Sequence, residues 1–183
     1  MIYRFTFISD EVDHFLREIK INSDASFLDF HKAILESVGY PDDQMTSFFI
    51  CNEDWEKETE ITREDMGTSS DVDNYVMEDT ALDELIEEEK QRLLYVFDPL
   101  AERVFFIELS EIIPGKSIAE PICSRKEGKA PKQTLDFDQL MSINPSSSFD
   151  IDDSFGDNEN VDIDELDMEG IGFLDDISND DII

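Results

Sequence analysis

Hydrophobic and polar positions change their period several times along the chain, and each change predicts an element. Residues 2–8 place Tyr3, Phe5 and Phe7 on one face and Arg4 and Thr6 on the other, the two-residue period of a half-buried strand. After Ser9-Asp-Glu11, the run 15–21 repeats the pattern through Phe15, Ile19 and Ile21, so the two runs are expected to pair as an antiparallel hairpin. At Ser26 the period becomes helical. Ser26 is a candidate N-cap with Asp29 three residues on, a capping box with a shortened acid. Phe27, Phe30, Ile34 and Val38 form the apolar stripe, and Gly39 with Pro41 supplies the stop.

Residues 45–51 predict a strand, whereas 52–73 are polar and predict an ordered surface excursion. Thr80 with Asp83 is expected to open a second, shorter helix that points Leu82, Leu85 and Ile86 inward and Glu87 to Glu89 to water. The apolar runs 92–97 and 103–109 flank Asp98-Pro-Leu-Ala-Glu102, a turn whose backbone Pro99 pre-sets, and predict a second hairpin. A last strand around Pro121 to Arg125 closes the sheet. Grouped strands with helices gathered to one side make this an α+β domain. The expected sheet is mixed or largely antiparallel, has five to six strands and carries two helices packed on one side. The domain spans residues 1–135, and 136–183 is an acidic C-terminal tail.

Charge separates these two parts more sharply than length does. The 183 residues hold 47 acidic and 14 basic side chains, a net charge of -33. That balance excludes a general nucleic-acid binder working by phosphate neutralisation, which needs clustered Lys and Arg. It excludes a cationic membrane anchor for the same reason. From Asp136 onward there are 16 acids in 48 residues and no Lys or Arg. Just before that, Lys116, Arg125, Lys126, Lys129 and Lys132 face only Glu120 and Glu127, so the stretch 116–132 is locally about +3. Asn144-Pro-Ser-Ser-Ser148 reads as a linker, and beyond it acids alternate with Ile, Phe, Val and Leu. Such a segment repels itself and is expected to be disordered in isolation. Ile163, Leu166, Gly170, Leu174 and Ile177 fall at helical spacings, so 161–178 also has the pattern of an amphipathic helix formed on contact. Gly170 and Gly172 oppose that helix in the free chain, at about 1 kcal/mol each.

Candidate chemistry is sparse. Cys51 and Cys123 lack C-x-x-C spacing and read as reduced structural thiols. The segment Met1 to Ile8 lacks the succession of a signal peptide, and no apolar run approaches the ~18 residues of a membrane span; a cytoplasmic location is the expectation. His14 and His31 are the only imidazoles. His31, with Asp29 and Glu36 nearby in sequence, reads as a partly buried, hydrogen-bonded helix residue, and His14 as an exposed one. No nucleophile elbow or phosphate loop is present, and Gly67-Thr-Ser69 is a loop tripeptide. Asp150-Ile-Asp152-Asp153 and Asp162-Ile-Asp164-Glu165 fail the EF-hand register. No catalytic residue, cofactor or metal site is therefore assigned. Trp55 either anchors a partner or covers one edge of the core.

Several ordered motifs resemble a known family. Tyr3-Arg-Phe5, Arg17-Glu-Ile-Lys-Ile21, Phe27-Leu-Asp-Phe-His31 through Gly39-Tyr40, Tyr95-Val-Phe-Asp98, and Pro121-Ile-Cys123 before Gly128-Lys-Ala-Pro131 are similar to the plasmid pRiA4b ORF-three-like family, a bacterial and archaeal α+β domain. The resemblance covers roughly 1–135 and implies the fold rather than a reaction. The chain departs from the family at its most polar positions. Gln44-Met-Thr46-Ser-Phe48 stands where many members have His-x-His-x-Phe, and Asp98-Pro-Leu-Ala-Glu-Arg-Val-Phe105 where they have Asp-Phe-Gly-Asp-x-x-Trp-x-His. Ala130-Pro-Lys-Gln133 replaces the usual Pro-Pro-Glu-Asp.

The expected function is that of a non-catalytic protein-interaction module. Its acidic-hydrophobic tail, through Ile163, Leu166, Leu174 and Ile177, binds a basic protein surface or masks Lys116, Arg125, Lys126, Lys129 and Lys132. No direct nucleic-acid or membrane binding is expected. A nucleic-acid mimic or mobile-element-associated regulator is the alternative. An enzyme is the weakest reading, and would call for a cavity lined by His31, Asp98 and Arg103.

Overall fold

The computed structural model describes residues 1–64 and 75–135. The alternating N-terminal runs form β1 (Ile2–Ile8) and β2 (Leu16–Asn22), paired antiparallel with Phe5 opposite Ile19 and Tyr3 opposite Ile21. The helical stripe forms α1 (Phe27–Val38). Ser26 Oγ accepts from the Asp29 amide at 3.1 Å, and the Asp29 carboxylate accepts from the Ser26 amide at 3.3 Å, so the shortened acid completes the box. Gly39 ends the helix at φ 76°, its amide donating to Leu35 O at 2.8 Å.

The sheet continues through β3 (Ser47–Cys51), β4 (Lys57–Thr62), β5 (Tyr75–Val76), β6 (Arg92–Asp98), β7 (Arg103–Ile113) and β8 (Ile122–Glu127). Its spatial order is β5-β4-β3-β6-β7-β1-β2-β8, antiparallel except between β4 and β5. Eight strands, rather than five to six, build this sheet. The two additional ones are β4, in the segment expected to be a surface excursion, and β5 just beyond it. In Lys-Glu-Thr-Glu-Ile-Thr only Ile61 is fully buried; the strand is held by main-chain pairing to β3, which leaves no mark on the side-chain pattern. Gly67-Thr-Ser69 lies outside the described residues.

One turn of helix, α2 (Leu82–Leu85), replaces the longer element expected from Thr80. Thr80 is buried and its carbonyl accepts from the Phe27 amide, while the Leu82 amide donates to Ala25 O at 2.9 Å. Asp83 accepts from the Ser23 hydroxyl at 3.2 Å, so it is not available to cap at Thr80. Glu84 takes the role instead, accepting from the Ala81 amide at 3.0 Å. Leu82 and Ile86 are buried, Leu85 is half-buried, and Glu87 to Glu89 are exposed.

One face of the sheet carries the core. Phe105 of β7 sits among five other rings, those of Phe7, Phe15, Tyr40, Tyr95 and Phe97, with centroids 4.5–6.3 Å away. Phe30 stacks on Phe5 at 4.5 Å and on Phe48 at 5.4 Å, which fastens α1 to the same face. No described helix is long and apolar enough to cross a membrane.

Candidate functional site

His31 lies on the inward face of α1 and is fully buried. Its ring Nε2 donates to Asp42 Oδ1 at 3.0 Å, and Asp42 Oδ2 in turn accepts from Arg63 at 2.8 Å. With the proton on Nε2, Nδ1 is the acceptor, and the Tyr95 hydroxyl donates to it at 2.8 Å, with Thr46 Oγ1 at 3.4 Å. The sequence-nearby acids do not take part: Asp29 serves the helix cap and Glu36 is exposed. Asp42 sits after the helix exit, so only the fold brings it to the ring. A cleft of ≈540 Å³ opens beside Asp42, Thr46 and Arg63, and the imidazole does not reach its surface.

Burial lowers the His31 pKa from 6.5 despite the favourable Asp42 contact, and the hydrogen bond from His31 lowers the Asp42 pKa from 3.8. Both folded values lie below their unfolded counterparts, so both contributions are present at neutral pH and are lost as pH falls, that of His31 from about 6.5 downward. The urea midpoint is therefore expected to drop between pH 7.5 and pH 5.5. His31→Leu should flatten that dependence, and an equal pH slope in both proteins would contradict it.

Arg103 makes the densest polar cluster. Its Nε and Nη2 donate to the Glu11 carboxylate at 2.8 and 2.7 Å, and Nη1 lies 3.5 Å from Asp98. The remaining donors reach Gln133 O at 3.1 Å and Lys132 O at 2.7 Å. Burial would lower its pKa, and Glu11 and Asp98 more than offset this and hold it above the ordinary value. Its guanidinium also stacks over Phe97 at 4.8 Å. His31, Asp98 and Arg103 do not share a cavity. A packed series of rings, Tyr95, Phe105 and Phe97, fills the space between the imidazole and the guanidinium.

A second buried arginine is what the sequence pattern held unread. In the alternation Phe15, Arg17, Ile19, Ile21, Arg17 occupies an inward position. It is 2% exposed, stacks over Phe15 at 4.4 Å and pairs with carbonyls rather than an acid. Nε donates to Ser37 O at 3.2 Å, Nη1 to Leu16 O at 2.9 Å and to Glu127 O, and Nη2 to Gly128 O at 3.1 Å. The last turn of α1 has no basic residue of its own; Arg17 brings the cation there from β2.

Arg17 and Arg103 thus hold the two ends of one strap, residues 127–133, by its carbonyl oxygens. Between them the Tyr40 hydroxyl, its pKa pushed up by burial, donates to Pro131 O at 2.5 Å, and Pro131 is buried. Gly128 turns the strap at φ 64°, where a Cβ would stand 2.5 Å from His14 O; this approach admits only glycine. With the carbonyls directed inward, the basic residues are left outside. Lys116, Arg125, Lys126, Lys129 and Lys132 are all exposed, and Arg125 pairs with Glu127 at 2.7 Å. The five lie along β8, its approach and the strap.

The remaining candidates are dispersed. Trp55, at φ 65°, packs edge-on against Phe106 at 5.1 Å on the sheet face opposite the core, with Arg92 over its ring. Cys51 is buried and Cys123 exposed. His14 is exposed. Among the described residues no three His, Cys, Asp or Glu side chains converge as metal ligands. Ile163, Leu166, Leu174 and Ile177, and the acidic motifs around 150 and 162, lie outside the described residues.

A protein of unknown function from Methanosarcina mazei Go1, MM3350, shares this fold with a TM-score of 0.55 and 20% identity, over 68% of each chain. No curated protein matches. A family model described as "plasmid pRiA4b ORF-3-like protein" matches residues 6–143, so the chain belongs to the plasmid pRiA4b ORF-3-like family.

Proposed function

We propose that this chain is a non-catalytic protein-interaction module. The acidic-hydrophobic arm 136–183 is the ligand of a basic surface: that of a partner, and in the free protein its own stretch 116–132. One observation carries the reading. Two buried arginines hold the strap by its carbonyls and leave Lys129 and Lys132 exposed on it, next to the exposed Arg125 and Lys126 of β8, on a chain whose net charge is -33. Ordering such a run in advance reduces what an anionic segment loses on binding. The arm carries 16 acids and begins within a few residues of the strap's anchored end at Gln133, which makes the encounter intramolecular.

Amide exchange across 116–132 tests this, comparing the full chain with a chain ending at residue 135. At low salt the full chain should exchange more slowly. In about 1 M salt, where screening acts within about 3 Å, the difference should vanish. Equal exchange in both chains at low salt would sink the reading.

A further inference from the structure

We propose that the sheet face opposite the core docks a second copy of this chain, face to face, about a two-fold axis running along the strands between β6 and β7. This surface lies away from the basic stretch, and the proposal does not depend on the arm.

Both helices pack their apolar residues into the core on the other side of the sheet. On the face they leave, the strand registers set Phe49, Leu94, Phe106, Ile8 and Leu16 side by side from β3 to β2, one apolar row across five strands. Ile8 is 49% exposed, and Phe49, Phe106 and Leu16 are half-buried, so the row is within reach of a partner. Trp55 stands over it, edge-on to Phe106 of β7 and with Arg92 of β6 across its ring. Its φ of 65° is a left-handed conformation that a bulky residue keeps only where its surroundings impose it. A tryptophan and an arginine on an apolar stripe have the composition of an interface hot spot.

Charge selects the occupant. Beside the apolar row, the next row reads Lys57, Cys51, Arg92, Glu108, Thr6 and Glu18. It is neutral on a chain of net charge -33, and none of its four charged residues makes an ion pair among the described residues. A two-fold axis between β6 and β7 sets Arg92 against Glu108 of the second copy and Lys57 against its Glu18, each pair occurring twice. The same axis places Leu94 on Phe106, Phe49 on Ile8 and Val96 on Val104, and brings the two Trp55 rings together; Glu60 meets Leu16 at the rim. An axis through β7 would instead oppose Glu108 to itself and Lys57 to Arg125, and one through β6 would oppose Arg92 to itself, so like charges exclude both. Aligned sheets cross at about 30°, an offset that side chains as long as Lys57 and Glu18 span. The rows measure about 24 Å across six strands and about 14 Å along them. With side-chain margins each copy buries roughly 500 Å², the lower end of specific interfaces, which makes a dimer that forms and separates with concentration.

Sedimentation velocity of the full chain tests this, from micromolar to submillimolar protein in about 0.15 M salt, where screening acts within about 8 Å. The parent should pass from monomer to dimer over that range. Lys57→Glu and Glu18→Lys each turn two attractions into repulsions, and each should weaken dimerisation about tenfold. An equimolar mixture of these two variants should recover it to within about threefold of the parent, because every opposite-charge pair re-forms across the heterodimer. Within one chain the two positions are about 24 Å apart, too far for the rescue to act inside a monomer. Ile8→Glu, which puts an acid at the most exposed member of the apolar row, should leave only monomer. A parent that stays monomeric, a dimer indifferent to these substitutions, or a mixture that associates no better than either charge variant alone would each overturn the proposal.

Discussion

Arg103→Ala is expected to destabilise the domain by about 3–5 kcal/mol, the usual cost of removing one partner from a buried ion pair. The side chain is 6% exposed, and its loss leaves Glu11, Asp98 and the carbonyls of Lys132 and Gln133 without their donor. A second consequence is local. With one of its two arginine anchors gone, the strap loses its hold on the Lys132 and Gln133 carbonyls and keeps those at Arg17, at Tyr40 and from the Gln133 side chain to Pro41 O, so trypsin should cut after Lys129 and Lys132 well before global unfolding. Arg103→Lys keeps the charge but not the planar fork that grips Glu11 through two nitrogens. It should recover part of the stability and little of the protease resistance. Urea unfolding and limited proteolysis of the two variants check both expectations; if Arg103→Ala unfolds within about 1 kcal/mol of the parent, the cluster is not a clamp.

Phe105→Ala should cost a similar amount, about 3–5 kcal/mol, by cavity formation and lost packing. Phe105 is fully buried and touches five rings contributed by β1, β6, the start of β2 and the helix exit. Its removal opens the very space that separates His31 from Arg103. Thermal unfolding gives the magnitude. The position also offers a control on the polar clusters, because the two substitutions act on neighbouring groups linked through Phe97 and should depart from additivity in a double-mutant cycle. Strict additivity would show that the ring column does not support the guanidinium.

Much of the fold was legible wherever the side-chain pattern and the backbone tell the same story. The β1–β2 hairpin, α1 with its Ser26–Asp29 box and Gly39 stop, and the β6–β7 hairpin across the Pro99 turn all follow from period and punctuation. The strand near Pro121 to Arg125 is present as β8. β4 escaped because its one buried side chain is Ile61, and α2 started later than expected because Thr80 and Asp83 are engaged with 23–27, a partner no local reading supplies.

The candidate site divides in the same way. The basic residues of 116–132 are a linear feature, so counting charges found them. The partners of His31, and the grip of Arg103 on a segment thirty residues later, arise from contacts distant in sequence. Arg17 is intermediate: its inward register was readable in the strand alternation, but a cation at an apolar position gains meaning only when four carbonyls are seen around it.

By itself the sequence determined the α+β class, most element identities and the division of charge between a domain and an acidic arm. These depend on local period and on composition. The tertiary structure alone decided that the end of the basic run is a strap held from within by Arg17 and Arg103, and that an aromatic column separates His31 from the Asp98–Arg103 pair. Buried polar groups must be satisfied wherever the chain brings a partner within reach. That partner is chosen by topology, across separations of up to 111 residues for Arg17 and Gly128, and no local pattern of side chains encodes it.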